Sequence, residues 1–202
     1  TSQIVWDGRG NNGETVQSAE DYPYEFTVTD ELGMSSTVTG KISIDVLVIR
    51  DGDKLKMQVP SIIFRSDNAD FGLTGKKDKN GKVIKNGITP EQKANNERVL
   101  RRIAEILKKF GDYKVVVVGH ANRSTNPYNE LEETQDSPKW GKASIPLSKE
   151  RAEYVRSVLR SYGISGDGLT TDGKGGTEPV VDPYDRSNNW KNRRVEFILE
   201  KK

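Results

Sequence analysis

Apolar residues recur at every second position where the chain first becomes regular: Tyr22, Tyr24, Phe26 and Val28 share one face, the period of a half-buried strand. Asp30-Glu31-Leu32-Gly33 then breaks the pattern as a turn, with Gly33 suited to a positive φ. The alternation resumes in Ile42, Ile44, Val46 and Val48, predicting a second strand region over residues 37–49. A turn-rich lead-in at residues 6–13 stands before these strands behind an aromatic anchor, Trp6. Arg50-Asp51-Gly52-Asp53 reads as a hinge, and residues 54–60 as a further strand. The apolar run Ile62-Ile63-Phe64, with Ser61 and Arg65 at its ends, is expected to open a second unit as its first strand.

The period then lengthens. After a Lys- and Gly-rich stretch with a hairpin turn at Asn80-Gly81, Thr89-Pro90-Glu91-Gln92 marks a helix start. Thr89 caps, Pro90 fits the first helical position and Gln92 completes a capping box. Val99, Ile103, Ile106, Leu107 and Phe110 form one apolar stripe, and Gly111 ends the helix. Arg98, Arg101, Arg102, Lys108 and Lys109 fall mostly off the stripe and read as a solvated face. Tyr113 and the valine run 115–118 predict a buried central strand, largely parallel in its pairing. A long connection over residues 123–146 follows, with an acidic middle at Glu130, Glu132, Glu133 and Asp136. Ser148 is expected to cap a second helix whose face carries Ala152, Val155, Val158, Leu159 and Tyr162. A strand at residues 168–172, a Gly173-Lys174-Gly175-Gly176 loop, a turn through Trp190 and a last strand at residues 194–199 complete an α+β order. That order is β-α-β-α-β-β, a mixed sheet with both helices on one face, preceded by a small all-β segment. The expected division is residues 1–52 and residues 53–202.

Composition narrows the chemistry. The 202 residues carry 32 Lys+Arg against 30 Asp+Glu, and a net charge of +2 gives no reason to expect nucleic acid. No cysteine is present, which removes disulfides, thiolate catalysis and Cys-based metal sites, and the single histidine, His120, excludes a multi-His metal centre. No apolar run is long enough to span a bilayer. The chain opens in mid-pattern without a signal peptide, as a fragment or a processed form would. Without a serine-triad motif or a readable carboxylate pair, no catalytic residue and no cofactor is assigned. His120 reads as a strand-end structural residue and the glycine cluster as turn geometry, since it follows a strand without opening a helix.

The polar residues at element ends remain. Gly119-His120-Ala121-Asn122 lies just past the edge of the buried strand, where α/β sheets bind ligands. Arg151 is expected in the first turn of the second helix, where a cation opposes the helix dipole at a cost of about 0.3–1 kcal/mol. It therefore needs a tertiary reason: a salt bridge to Glu130 or Asp185, or a planar fork for a carboxylate.

Gly-His-x-Asn at 119–122, Leu147-Ser148-x-x-Arg151-Ala152, Gly173-x-Gly175-x-x-x-Pro179 and Asn192-Arg193-Arg194-Val195, in this order, resemble the OmpA-like peptidoglycan-binding domain of bacterial cell envelopes. The resemblance covers residues 62–199. Trp6-Asp7-Gly8, Gly13, Tyr22-x-Tyr24 and Asp30-x-x-Gly33 resemble part of an immunoglobulin-like repeat of the flagellar hook-cap type, which implies a spacer. The OmpA-like resemblance implies a noncatalytic site in which an acid holds the ammonium of diaminopimelate and an Arg its carboxylate. By motif position those roles fall on Asn122 and Arg151, with Arg193 as an auxiliary contact, Asn192 holding the loop, and Phe64 with residues 66–69 forming the rim. It further implies a periplasmic location, attachment to the outer membrane through an upstream region, and peptidoglycan or other envelope proteins as partners.

Two positions depart from the family pattern. Asn122 stands where the acid is usual, and Ser144 where Asn is frequent. Losing the ion pair weakens binding by roughly one to two orders of magnitude, since a hydrogen bond to a charged group contributes about 1.5–3 kcal/mol. Either another acid, Glu130, Glu132, Glu133 or Asp136, substitutes, or the domain has lost the ligand and serves as a structural or protein-interaction module.

Overall fold

A computed structural model describes Arg9, Val16 and residues 21–59, 62–65, 68–122 and 144–202. The rest of the lead-in around Trp6, Pro60, Ser61, residues 66–67 of the expected rim and the four loop acids lie outside the described residues.

The strands are β1 (Asp21–Thr29), β2 (Ser35–Ser43), β3 (Ile49–Asp51), β4 (Lys54–Val59), β5 (Tyr113–His120), β6 (Leu169–Gly175) and β7 (Val195–Lys201); the helices are α1 (Pro90–Lys108) and α2 (Ile145–Ser161). β1 and β2 form a two-stranded antiparallel sheet, and the other five run in the order β3-β4-β7-β5-β6. β5 and β6 are parallel, while β7 is antiparallel to both β4 and β5. The α+β class and the mixed sheet are as the sequence pattern predicts.

Register explains the single core. Met57 stands opposite Phe197, and Phe197 opposite Val117; Leu199 stands between Leu55 and Val115. Those side chains share one face, and the buried residues of α1 (Val99, Leu100, Ile103, Leu107) and α2 (Ala152, Val155, Leu159) close the same cluster over it. The start of α1 is the predicted one: Gln92 N donates to Thr89 Oγ1 at 3.2 Å, and Thr89 N to Gln92 Oε1 at 2.9 Å.

Three expectations are corrected. The first strand of the second unit is Lys54–Val59, because its alternating Leu55, Met57 and Val59 pair with β7, whereas residues 62–65 are not a strand. The backbone of Ile63 is satisfied instead by a side chain: the buried Asn96 of α1 accepts from Ile63 N at 2.9 Å and donates to Ile63 O at 2.7 Å. The predicted second strand stops at Ser43; residues 44–48 are irregular, and β3 pairs with β4. Val46 there is buried in the core. Asp45 takes a bidentate contact from Arg102 at 2.6–3.0 Å, so this arginine of the supposedly solvated face ties α1 to the connecting segment.

Candidate functional site

The site begins with two glycines. At Gly119, the last residue but one of β5, a Cβ would overlap the carbonyl oxygen of Ser148; at Gly173 of β6 a Cβ would come within 2.6 Å of Lys149 N. The first turn of α2 therefore rests directly on the backbone of two neighbouring strands. Ser148 fastens it there, donating from Oγ to Ile145 O at 2.8 Å and accepting from Gly175 N at 2.9 Å. Ser148 is thus a buried residue inside the first turn, not the cap. Ser144 holds the cap position without a side-chain cap hydrogen bond. Gly173 and Gly175, read as a loop, are the end of β6.

Because α2 starts at Ile145, Arg151 lies in its second turn, where the dipole penalty has largely faded. Its tertiary reason is visible. The guanidinium, 8% exposed, donates from Nε to Asn68 O at 3.1 Å and from Nη2 to Arg65 O at 3.5 Å. It also lies 5.1 Å from the centre of the Phe64 ring. Phe64 in turn packs on Phe71 at 5.3 Å, and Phe71 on Tyr154 of α2 at 4.9 Å. Asp185 is not the partner: its carboxylate accepts from Ser187 N and Asn188 Nδ2. Those contacts, Asn188 foremost, hold its pKa below the usual carboxylate value.

Asn122 and Asn192 meet in a second, adjoining network. Asn192, 1% exposed, donates from Nδ2 to Asn122 Oδ1 at 2.9 Å and to Val181 O at 3.0 Å, and its Oδ1 accepts from Val180 N and Val181 N. Asn122 Nδ2 donates to Pro183 O at 3.3 Å. Asn192 thus makes three bonds to the backbone of Val180 and Val181 and one to Asn122. Asn122 belongs to the same loop clamp.

Phe64, Arg151 and Arg193 come together around a cleft of about 390 Å³, completed by Gln92, Trp190 and His120. Asn122, Asn192 and Ser144 are not on its lining. Arg193 is exposed at the end of a short 3-10 helix, Asn189–Asn192. Arg194 also reaches the cleft, but its Nε donates to Glu196 Oε1 at 2.6 Å. No carboxylate lines the cleft among the described residues, and among them no group of His, Cys, Asp and Glu could hold a metal ion.

Sequence reading missed four residues here. Gln92 has a second place besides its cap, and Trp190 sat in what looked like a plain turn. Asn96 looked like a polar helix position. Glu196, on a strand expected to alternate, is 2% exposed, with Lys56 Nζ at 2.8 Å and His120 Nε2 at 3.4 Å from Oε2. The one signal for Glu196 was charge crowding: Arg194 and Glu196 lie two apart on a strand, hence on one face.

The OmpA family model matches residues 87–193, just over half of the chain. The peptidoglycan-associated lipoprotein of Buchnera aphidicola is 27% identical over 166 residues, covering 78% of this chain and 82% of that protein. The peptidoglycan-binding protein ArfA of Mycobacterium tuberculosis is 29% identical over 101 residues, 50% of this chain, and the match spans 27% of that protein's length. Among solved structures, the periplasmic domain of Helicobacter pylori MotB shares the fold with a TM-score of 0.52 and 20% identity, covering 92% of this chain and 88% of that one. The cell wall anchor of the T6SS from Pseudomonas aeruginosa gives a TM-score of 0.50 at 25% identity, covering 78% and 88%.

Proposed function

The chain belongs to the OmpA family, and from that premise we propose that it is a noncatalytic cell-envelope module that binds the peptidoglycan stem peptide and tethers an envelope protein to the cell wall from the periplasm. Relatives of this chain carry peptidoglycan binding or association in their names. The observation that carries the reading is the convergence of Arg151, Arg193 and Phe64 on one cleft without a described carboxylate, an arrangement suited to an anionic ligand. Arg193 is the contacting cation and Arg151 the partly spent one beneath it. Residues 53–202 are the binding domain in this proposal, and residues 1–52 the spacer; β3 closes that spacer by pairing with β4.

Co-sedimentation with purified sacculi tests the reading. The protein is expected to pellet, and Arg193→Ala to weaken pelleting by roughly 10–100-fold at unchanged melting temperature, the equivalent of one charge-assisted contact. Arg151→Ala is expected to weaken it too, with some loss of stability because two backbone carbonyls lose their donor. A wild-type protein that stays in the supernatant sinks the reading.

A second reading, a domain that has lost peptidoglycan and serves as a structural or protein-interaction module, is favoured by the consumed amide of Asn122. Asn122→Asp separates the two: a large gain of pelleting from a near-zero baseline supports loss, and tight binding by both forms removes that reading.

A further inference from the structure

We propose that Trp190 is a platform for the glycan part of peptidoglycan: its indole stacks on a pyranose ring of the amino sugar that carries the stem peptide. The proposal rests on the peptidoglycan reading above. Tryptophan is highly buried on average, yet Trp190 stays 37% exposed while it lines the cleft. Its place is the mouth, because Arg151 and His120 on the same lining are buried. Arg193 is exposed beside it. The two are three residues apart on the short 3-10 helix and its cap, a spacing that puts side chains on the same side of such a helix.

The turn that presents the indole is held from several sides. Asn188 N and Asn189 N both donate to Asp185 O, and Arg193 N donates to Trp190 O at 3.0 Å. The buried side chain of Asn192 bonds to Val180, Val181 and Asn122. Lys191 Nζ stands 5.8 Å from the centre of the indole, within cation–π range. An aromatic side chain with two rotatable bonds on a turn fixed in this way loses little freedom when a ligand covers it.

The chemistry of the rim and the reach of the ligand point to sugar. The C–H face of a pyranose is apolar and meets the negative face of an indole, while its hydroxyl and acetamido groups project sideways to polar partners. Such partners surround Trp190: Arg193 and Gln92 line the same cleft. A cleft of 390 Å³ is about 7 Å across, taken as the cube root of its volume, whereas three extended residues reach about 10–11 Å. A stem tripeptide whose last residue sits on the floor, beside Arg151 and Phe64, therefore has its first residue at the mouth. The amino sugar joined to that residue lies over the rim, where Trp190 stands.

Calorimetric titration of the whole chain tests this with two soluble probes: a free Ala-Glu-diaminopimelate stem tripeptide, and the same tripeptide on its N-acetylglucosamine–N-acetylmuramic acid disaccharide. The disaccharide is expected to tighten binding by about three- to tenfold, the scale of one aromatic contact. Trp190→Ala is expected to abolish that gain, leaving the affinity for the free tripeptide and the melting temperature unchanged, and Trp190→Tyr to keep most of the gain. Equal binding of the two probes by the wild type overturns the proposal while the peptidoglycan reading stands. So does an equal loss of both probes in Trp190→Ala, which would make the indole part of the stem site. If neither probe binds and sacculi do not pellet the protein, both readings fall.

Discussion

Glu196 shows how much a single residue can ask of its surroundings. Burial pushes a carboxyl pKa up, yet the contacts from His120 and Lys56 and the field of Arg194 outweigh burial and hold Glu196 well below the ordinary value of 4.5. The pKa is depressed in the folded state, so the stability Glu196 contributes is complete above its unfolded value. It is lost as pH falls below that value toward the folded one. Thermal melts from neutral pH downward are therefore expected to show a falling midpoint below about pH 4.5. Glu196→Gln is expected to flatten that fall and to cost about 3–5 kcal/mol at neutral pH, because Arg194 and Lys56 lose their counter-charge in a dry site. A variant that melts with the wild type at pH 7 would mean the cluster contributes nothing.

At the scale of elements, the seat of α2 on β5 and β6 decides where Arg151 points. Gly119→Ala would drive a methyl into the Ser148 carbonyl, which is helix backbone and cannot swing aside. Overpacking of this kind costs about 1–3 kcal/mol, and the rigid neighbour places this case at the upper end or beyond. The check is a urea midpoint measured together with sacculus pelleting, and both are expected to drop. A variant of wild-type stability would disprove the close seat. The same element marks the limit of what local pattern can convey. The start of α1 was legible because Thr89 and Gln92 satisfy each other within one turn. Ser148 was misread because its partner, Gly175 N, comes from another strand. Residues 62–65 were misread because an apolar run fits a strand, and nothing nearby in the sequence announces that Asn96 will satisfy the backbone of Ile63. Arg151, Arg193 and Phe64, singled out by motif position, line one cleft, whereas Asn122, singled out in the same way, is bonded to Asn192 and lies off that lining.

At the scale of the molecule, the two sheets differ in what holds them. The core cluster contains Val46 but no residue of β1 or β2. In the hairpin Tyr24, Phe26, Val28 and Val38 stay 41–57% exposed. A lone hairpin is marginal in water, so it adds little to the cooperative unit, whereas residues 44–51 are part of that unit through Val46, the Asp45–Arg102 pair and β3. Removing residues 1–43 is therefore expected to leave the melting temperature within about 2–4 °C of the full chain, a change on the order of 1 kcal/mol at this size. Removing residues 1–52 takes Val46 and β3 as well. Burial of one such side chain is worth about 1.5–3 kcal/mol, so the midpoint is expected to fall by roughly 4–10 °C. Circular dichroism melts of the two truncations settle the matter: equal losses would make the hairpin an integral part of the fold. A large loss only in the shorter chain would put the physical boundary of the folding unit before Asp45, ahead of the Gly52 hinge, with the exposed hairpin as the spacer that holds the cleft away from whatever it anchors.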